Sequence, residues 1–146
     1  MVAATARDLA REAIRQALAE HAGADPDARA LAEATLSIWE QVASRLVPVI
    51  GARGVDALFS RSLHLTSAAF PWLAVVGEQG RPDAQRAGLK ARLAGRETEA
   101  ATAAGYALLV TFTELLASLI GEALTGRLLG PVWAVPSTAF KRETTS

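Results

Sequence analysis

AAGYALLVTFTELLASLI, residues 103–120, is nearly unbroken apolar sequence with one charged side chain, Glu114. Two structures suit such a run: the central helix of an all-α core, or a poor transmembrane segment. On a helical wheel Tyr106, Leu109, Val110, Thr113, Leu116, Ala117 and Ile120 share one face, and Leu108, Phe112, Leu115 and Leu119 share another. Thr111, Glu114 and Ser118 leave only a narrow polar strip. A helix apolar nearly all round belongs inside a bundle or inside a membrane. The run is about as long as the shortest spans, and an acid at mid-span costs roughly 2.5–3.5 kcal/mol on insertion scales. The core helix is the reading adopted, with a membrane role set aside.

A core helix needs neighbours with matching apolar stripes, and the chain upstream supplies them. Asp25-Pro26 is a helix start signal, a capping oxygen followed by proline. The helix it opens carries Leu31, Thr35, Ile38, Trp39, Val42 and Leu46 at spacings of three and four, with Arg29, Glu33, Ser37, Glu40 and Ser44 opposite. Pro48 is expected to kink or end it, and Gly51 and Gly54 to bracket a turn. A helix over 55–69 follows, stopped by Phe70-Pro71-Trp72, and then a loop over 78–82 and a short helix with Leu89 and Leu93 that ends near Gly95.

The first helix runs from a cap at Thr5 to about Ala22 and has a thin, alanine-rich stripe. The long helix is expected over 97–120, with a continuation to Leu129 left open, and Pro131 and Pro136 end it. The expected architecture is a compact all-α bundle of four to five helices with the long apolar C-terminal helix at its centre. Residues 1–133 form one domain and 134–146 a disordered tail.

An internal echo accompanies this pattern. Leu46-Val-Pro-Val-Ile50-Gly51 resembles Leu116-Ala-Ser-Leu-Ile120-Gly121, and each precedes an amphipathic run and a Pro-Trp element. The stretch from Gly51 to Pro71 is twice that from Gly121 to Pro131. A duplicated helix hairpin and a coincidence of two helix ends both fit.

Composition bounds the function. The 146 residues carry 15 basic and 15 acidic side chains and no cysteine, so there is no disulfide, thiolate zinc site or cysteine nucleophile. A net charge of zero offers no global attraction to nucleic acid or anionic lipid. Arginine far outnumbers lysine and alanine is abundant, the bias of a GC-rich bacterial genome. Asp8, Arg11, Glu12 and Arg15 interrupt any signal-peptide core, which points to the cytoplasm.

Chemistry-bearing residues are sparse. His64 points away from the apolar face of its helix among Ser60, Arg61, Ser67 and Ala68. An accessible imidazole with a guanidinium one turn away suits a phosphoryl acceptor. That setting loosely resembles histidine phosphotransfer domains, which are helical bundles of similar size. The usual pattern there has Lys three residues after the histidine and then Gly, where this chain has Ser67 and Ala68.

His21 and His64 lie on different helices without metal-binding spacing, and no histidine follows position 64 to serve as a globin's proximal ligand, so no metal or cofactor is expected. Arg81, Arg86, Lys90, Arg92 and Arg96 make one basic segment without interleaved aromatics, read as a solvated face rather than a nucleic-acid site. Glu114 is expected to pair with an arginine such as Arg45 or Arg53, or to serve a pocket.

No catalytic set emerges. The expected function is that of a non-enzymatic bacterial regulatory or adaptor domain that binds a protein partner or a second copy of itself, a homodimer. Two alternatives are phosphorelay through His64 with Arg61, and a small-molecule sensor with a pocket between the central and second helices lined by Trp39, Phe112 and Glu114.

Overall fold

The structure, a computed structural model, describes residues 6–74 and 82–134. Among these residues the chain is all-α. Helix α1 spans Ala6–Ala22, α2 Ala28–Thr66, α3 Pro82–Ala94, α4 Thr98–Ile120 and α5 Glu122–Trp133, with a 3-10 turn at Pro71–Leu73 after α2. The expected cap at Thr5, most of the 78–82 loop, Arg81, Pro136 and the 135–146 part of the tail lie outside the described residues.

Local chemistry sets the helix ends, not always where the sequence signals stand. α2 starts two residues after Asp25-Pro26, because the Asp27 carboxylate accepts the Ala30 N–H at 2.9 Å while Asp25 sits in a left-handed turn at φ 56°. Pro48 neither ends nor redirects α2, which stays helical to residue 50. The break is Gly51, at φ 83° and ψ 157°, a backbone region that is essentially glycine's alone. Helix resumes at once and runs over 52–66, absorbing Gly54 and starting earlier than the expected 55. The chain doubles back at this corner, since the Phe59 ring meets the Trp39 ring with centroids 4.5 Å apart.

The long apolar helix ends the same way. Gly121, at φ 93° and ψ 154°, separates α4 from α5, so there is no continuous helix to Leu129. α5 folds back along α4 and runs through Pro131, where termination was expected. Each of the two glycines closes a helix that began 23 residues earlier, at 28 and at 98. With the two glycines in register, many buried positions coincide, among them Leu31 with Ala101, Ile38 with Leu108, Val42 with Phe112, Leu46 with Leu116, Val55 with Thr125, and Phe59 with Leu129. The echo in the sequence is thus matched by two equivalent helix-corner-helix units.

These units pack on each other at the centre of the molecule. Thr35 of α2 lies against Gly105 of α4, equivalent residues meeting each other. One turn on, Trp39 meets Phe112 edge to face with ring centroids 4.7 Å apart. The two long helices therefore run in the same direction, and both glycine corners lie at one end of the molecule.

The core is built on this pair, with Trp39, Phe59, Phe112, Leu46, Leu108 and Leu116 all at 2 % exposure or less. Each aromatic contact of this kind adds about 0.5–1.5 kcal/mol beyond the area it buries. α1 covers one side through Ile14, Ala17 and Leu18, and α3 covers the other through Leu89 and Leu93. α4 has the length and composition to cross a membrane, yet Leu108 and Phe112 are enclosed by the chain's own helices. Leu119, expected on a packed face, is 66 % exposed, because it stands on the last turn before the corner where α5 departs.

Candidate functional site

A cleft of about 220 Å³ opens between α1, α4 and α5. Its floor is apolar: Ala10 and Ile14 from α1, Val110 and Ala117 from α4, Leu129 and Trp133 from α5. The hydroxyls that line it are spent on their own helices. Thr113 donates to the Leu109 carbonyl, Ser118 to that of Leu115 and Thr125 to that of Gly121, each at 2.8 Å. What they offer the cleft is carbon rather than a free donor.

The repeat explains why the space exists. In the first unit, Asp56, Phe59 and Ser60 occupy the positions that Gly126, Leu129 and Gly130 hold in the second. There α3 packs closely: buried Gln85 accepts the Ser60 hydroxyl at 3.0 Å, and Arg86 approaches Asp56 at 3.9 Å. The second unit has smaller side chains at the equivalent places, and of these Gly126 and Leu129 line the cleft together with Ala10 of α1.

Charge sits at the rim. Arg11 of α1 directs Nε and a terminal nitrogen at the same Glu114 oxygen, Oε2, at 3.2 and 2.6 Å. This hydrogen bond and the negative charge of Glu114 raise the pKa of the guanidinium above its ordinary value. Arg7, one turn earlier, stands 3.7 Å from the same oxygen, beyond hydrogen-bond reach. Glu122, exposed at the start of α5, completes the rim. The partners of Glu114 are therefore the arginines of α1, not Arg45 or Arg53. Arg45 instead donates to the Leu128 carbonyl, tying α2 to α5.

The residues singled out in the sequence fall in three separate places. Trp39 and Phe112 meet in the packed core, whereas Glu114 is turned to the cleft. His64 and Arg61 are both exposed on 52–66, and the His64 carbonyl accepts the Ser67 hydroxyl at 2.7 Å. The basic segment is partly engaged, with Arg86 on Asp83 at 2.6 Å and Arg96 stacked over the Trp72 ring at 4.6 Å. Among the described residues no group of three His, Asp or Glu side chains is placed to hold a metal ion.

Sequence reading missed Arg7, Arg11 and the small residues of α5. The i, i+4 spacing of the two arginines beside an alanine stripe was visible, but its meaning depends on α4 lying opposite.

His21, near the end of α1, is half-buried, and its Nε2 is enclosed without a hydrogen-bond partner. Burial lowers its pKa below the ordinary 6.5. As pH falls through 6.5 the unfolded chain takes up this proton more readily than the folded one, so stability declines on acidification. Melting temperature is expected to drop between pH 7.5 and 5.5 by more in the wild type than in His21→Asn. Equal drops would remove His21 as the cause.

Comparison with protein-family models, with curated proteins and with solved structures finds no match to this chain.

Proposed function

We propose that this protein is a non-catalytic regulatory domain that acts by binding a small, largely apolar ligand in the cleft between α1, α4 and α5. The observation that carries this role is the cleft itself: an apolar floor whose hydroxyls are already bonded, with the Arg11–Glu114 pair reaching across from one wall to another. Ligand sites are concave, mostly apolar and edged by a few placed polar groups, which describes this one. Because α1 precedes the first unit in the chain while α4 and α5 form the second, a bound ligand would bridge the two halves of the chain. That geometry supports signalling, since occupancy changes how tightly α1 is held.

Toluene tests the role without involving charge. An apolar cavity of about 150 Å³ is large enough to take benzene. Toluene is expected to shift the methyl resonances of Ala10, Ala117 and Leu129 in a saturable way. Ala117→Phe, which fills the floor, is expected to abolish the effect while the protein stays folded. Resonances of the cleft that do not respond to toluene would end the proposal.

A further inference from the structure

Four charged side chains edge the cleft, and two of them are committed to each other. Arg11 spends two donors on Glu114. Arg7 shares that carboxylate more loosely, at 3.7 Å, and with its side chain 57 % exposed it keeps donors to spare; with Glu122, also exposed, it sets a cation on α1 and an anion on α5 above a shared apolar floor. The four rim charges sum to zero. A net anion would meet Arg7 but also two carboxylates, and a net cation would meet Glu122 but also two guanidiniums. A ligand with one charge of each sign is not opposed in this way.

We propose that the cleft takes a zwitterion with one large apolar substituent, an α-amino acid of the leucine or phenylalanine type. The inference rests on the ligand-binding role above and adds the chemical class. The benzyl or isobutyl group occupies the floor between Ile14, Ala117 and Leu129, the carboxylate faces Arg7, and the ammonium faces Glu122. Size agrees: if about 150 Å³ holds benzene, then 220 Å³ holds a benzyl group and leaves the head group at the mouth.

Three nearly isosteric probes separate the charges: L-phenylalanine, 3-phenylpropanoate without the ammonium, and 2-phenylethylamine without the carboxylate. Titrations on the intact protein, read by the cleft methyl resonances, are expected to show phenylalanine binding about tenfold tighter than either single-charge analogue, as one charge-assisted contact predicts. Arg7→Gln is expected to erase the preference over the amine, and Glu122→Gln the preference over the acid. Both side chains are exposed, so neither change removes a core contact.

Equal affinity for all three probes, or a preference for one single-charge analogue, overturns the amino-acid assignment. If toluene still binds in that case, the ligand-binding role stands and only the class is wrong. If neither phenylalanine nor toluene reaches the cleft, both fall.

Discussion

Gly121→Val is expected to lower folding stability by about 3 kcal/mol, near the upper end for a side chain forced into a glycine-only backbone region. Nothing lies within 4 Å of the position a Cβ would take at Gly121, so the cost is conformational and not steric. A β-branched residue cannot hold φ 93° cheaply. The chain can escape the strain by straightening α4 into α5, but that pulls Thr125, Leu129 and Val132 out of the core. Gly126→Ala is the control: Gly126 is also free of neighbours within 4 Å, but it lies within helix α5, so alanine is expected to add roughly 0.5–1 kcal/mol. Urea titration of the three proteins reads both effects, and a Gly121→Val midpoint equal to wild type would show that the corner does not need glycine. Gly51→Val is expected to behave in the same way, since its torsion angles are nearly the same.

Gly105→Ala should cost about 1–3 kcal/mol for a different reason, an overpacked core. Its Cβ would stand 2.6 Å from the Thr35 hydroxyl oxygen, and that oxygen is fixed in place by donating to the Leu31 carbonyl at 2.8 Å. Thr35 is 1 % exposed, so its side chain has no free space to rotate into. Thr35→Ala removes the obstruction, and the double variant is expected to regain most of what Gly105→Ala loses. A double-mutant cycle with additive effects would show that the two helices do not touch there. The measurement bears on the whole fold, because this contact is where the two units meet.

Much of this architecture was legible in the sequence, and particular residues show where legibility stopped. Period and caps marked the helices, and the run of residues 103–120 identified the central one. Pro48 misled because a proline in the last turn of an exposed helix face need not redirect the chain, whereas a single glycine in the mirror-β region can. The torsion angles of Gly51 and Gly121 are not written in local composition, yet the shared Leu-x-x-x-Ile-Gly context pointed to both. Of the site, Glu114 was visible as an anomaly in apolar surroundings. Its partners were not, because Arg7 and Arg11 lie about a hundred residues away and come near only when α1 crosses α4. Trp39 and Phe112 were placed on the apolar faces of their helices, but periodicity does not distinguish a side chain that lines a cavity from one that fills a core.

The matched corners give the molecule an approximate internal symmetry, with the Thr35–Gly105 contact at its centre. One lobe is closed over by Gln85 bonded to Ser60; the other, with Gly126 in the lining, is hollow. The cleft is therefore where the symmetry fails: a vacancy on one side of a molecule whose stability both sides supply.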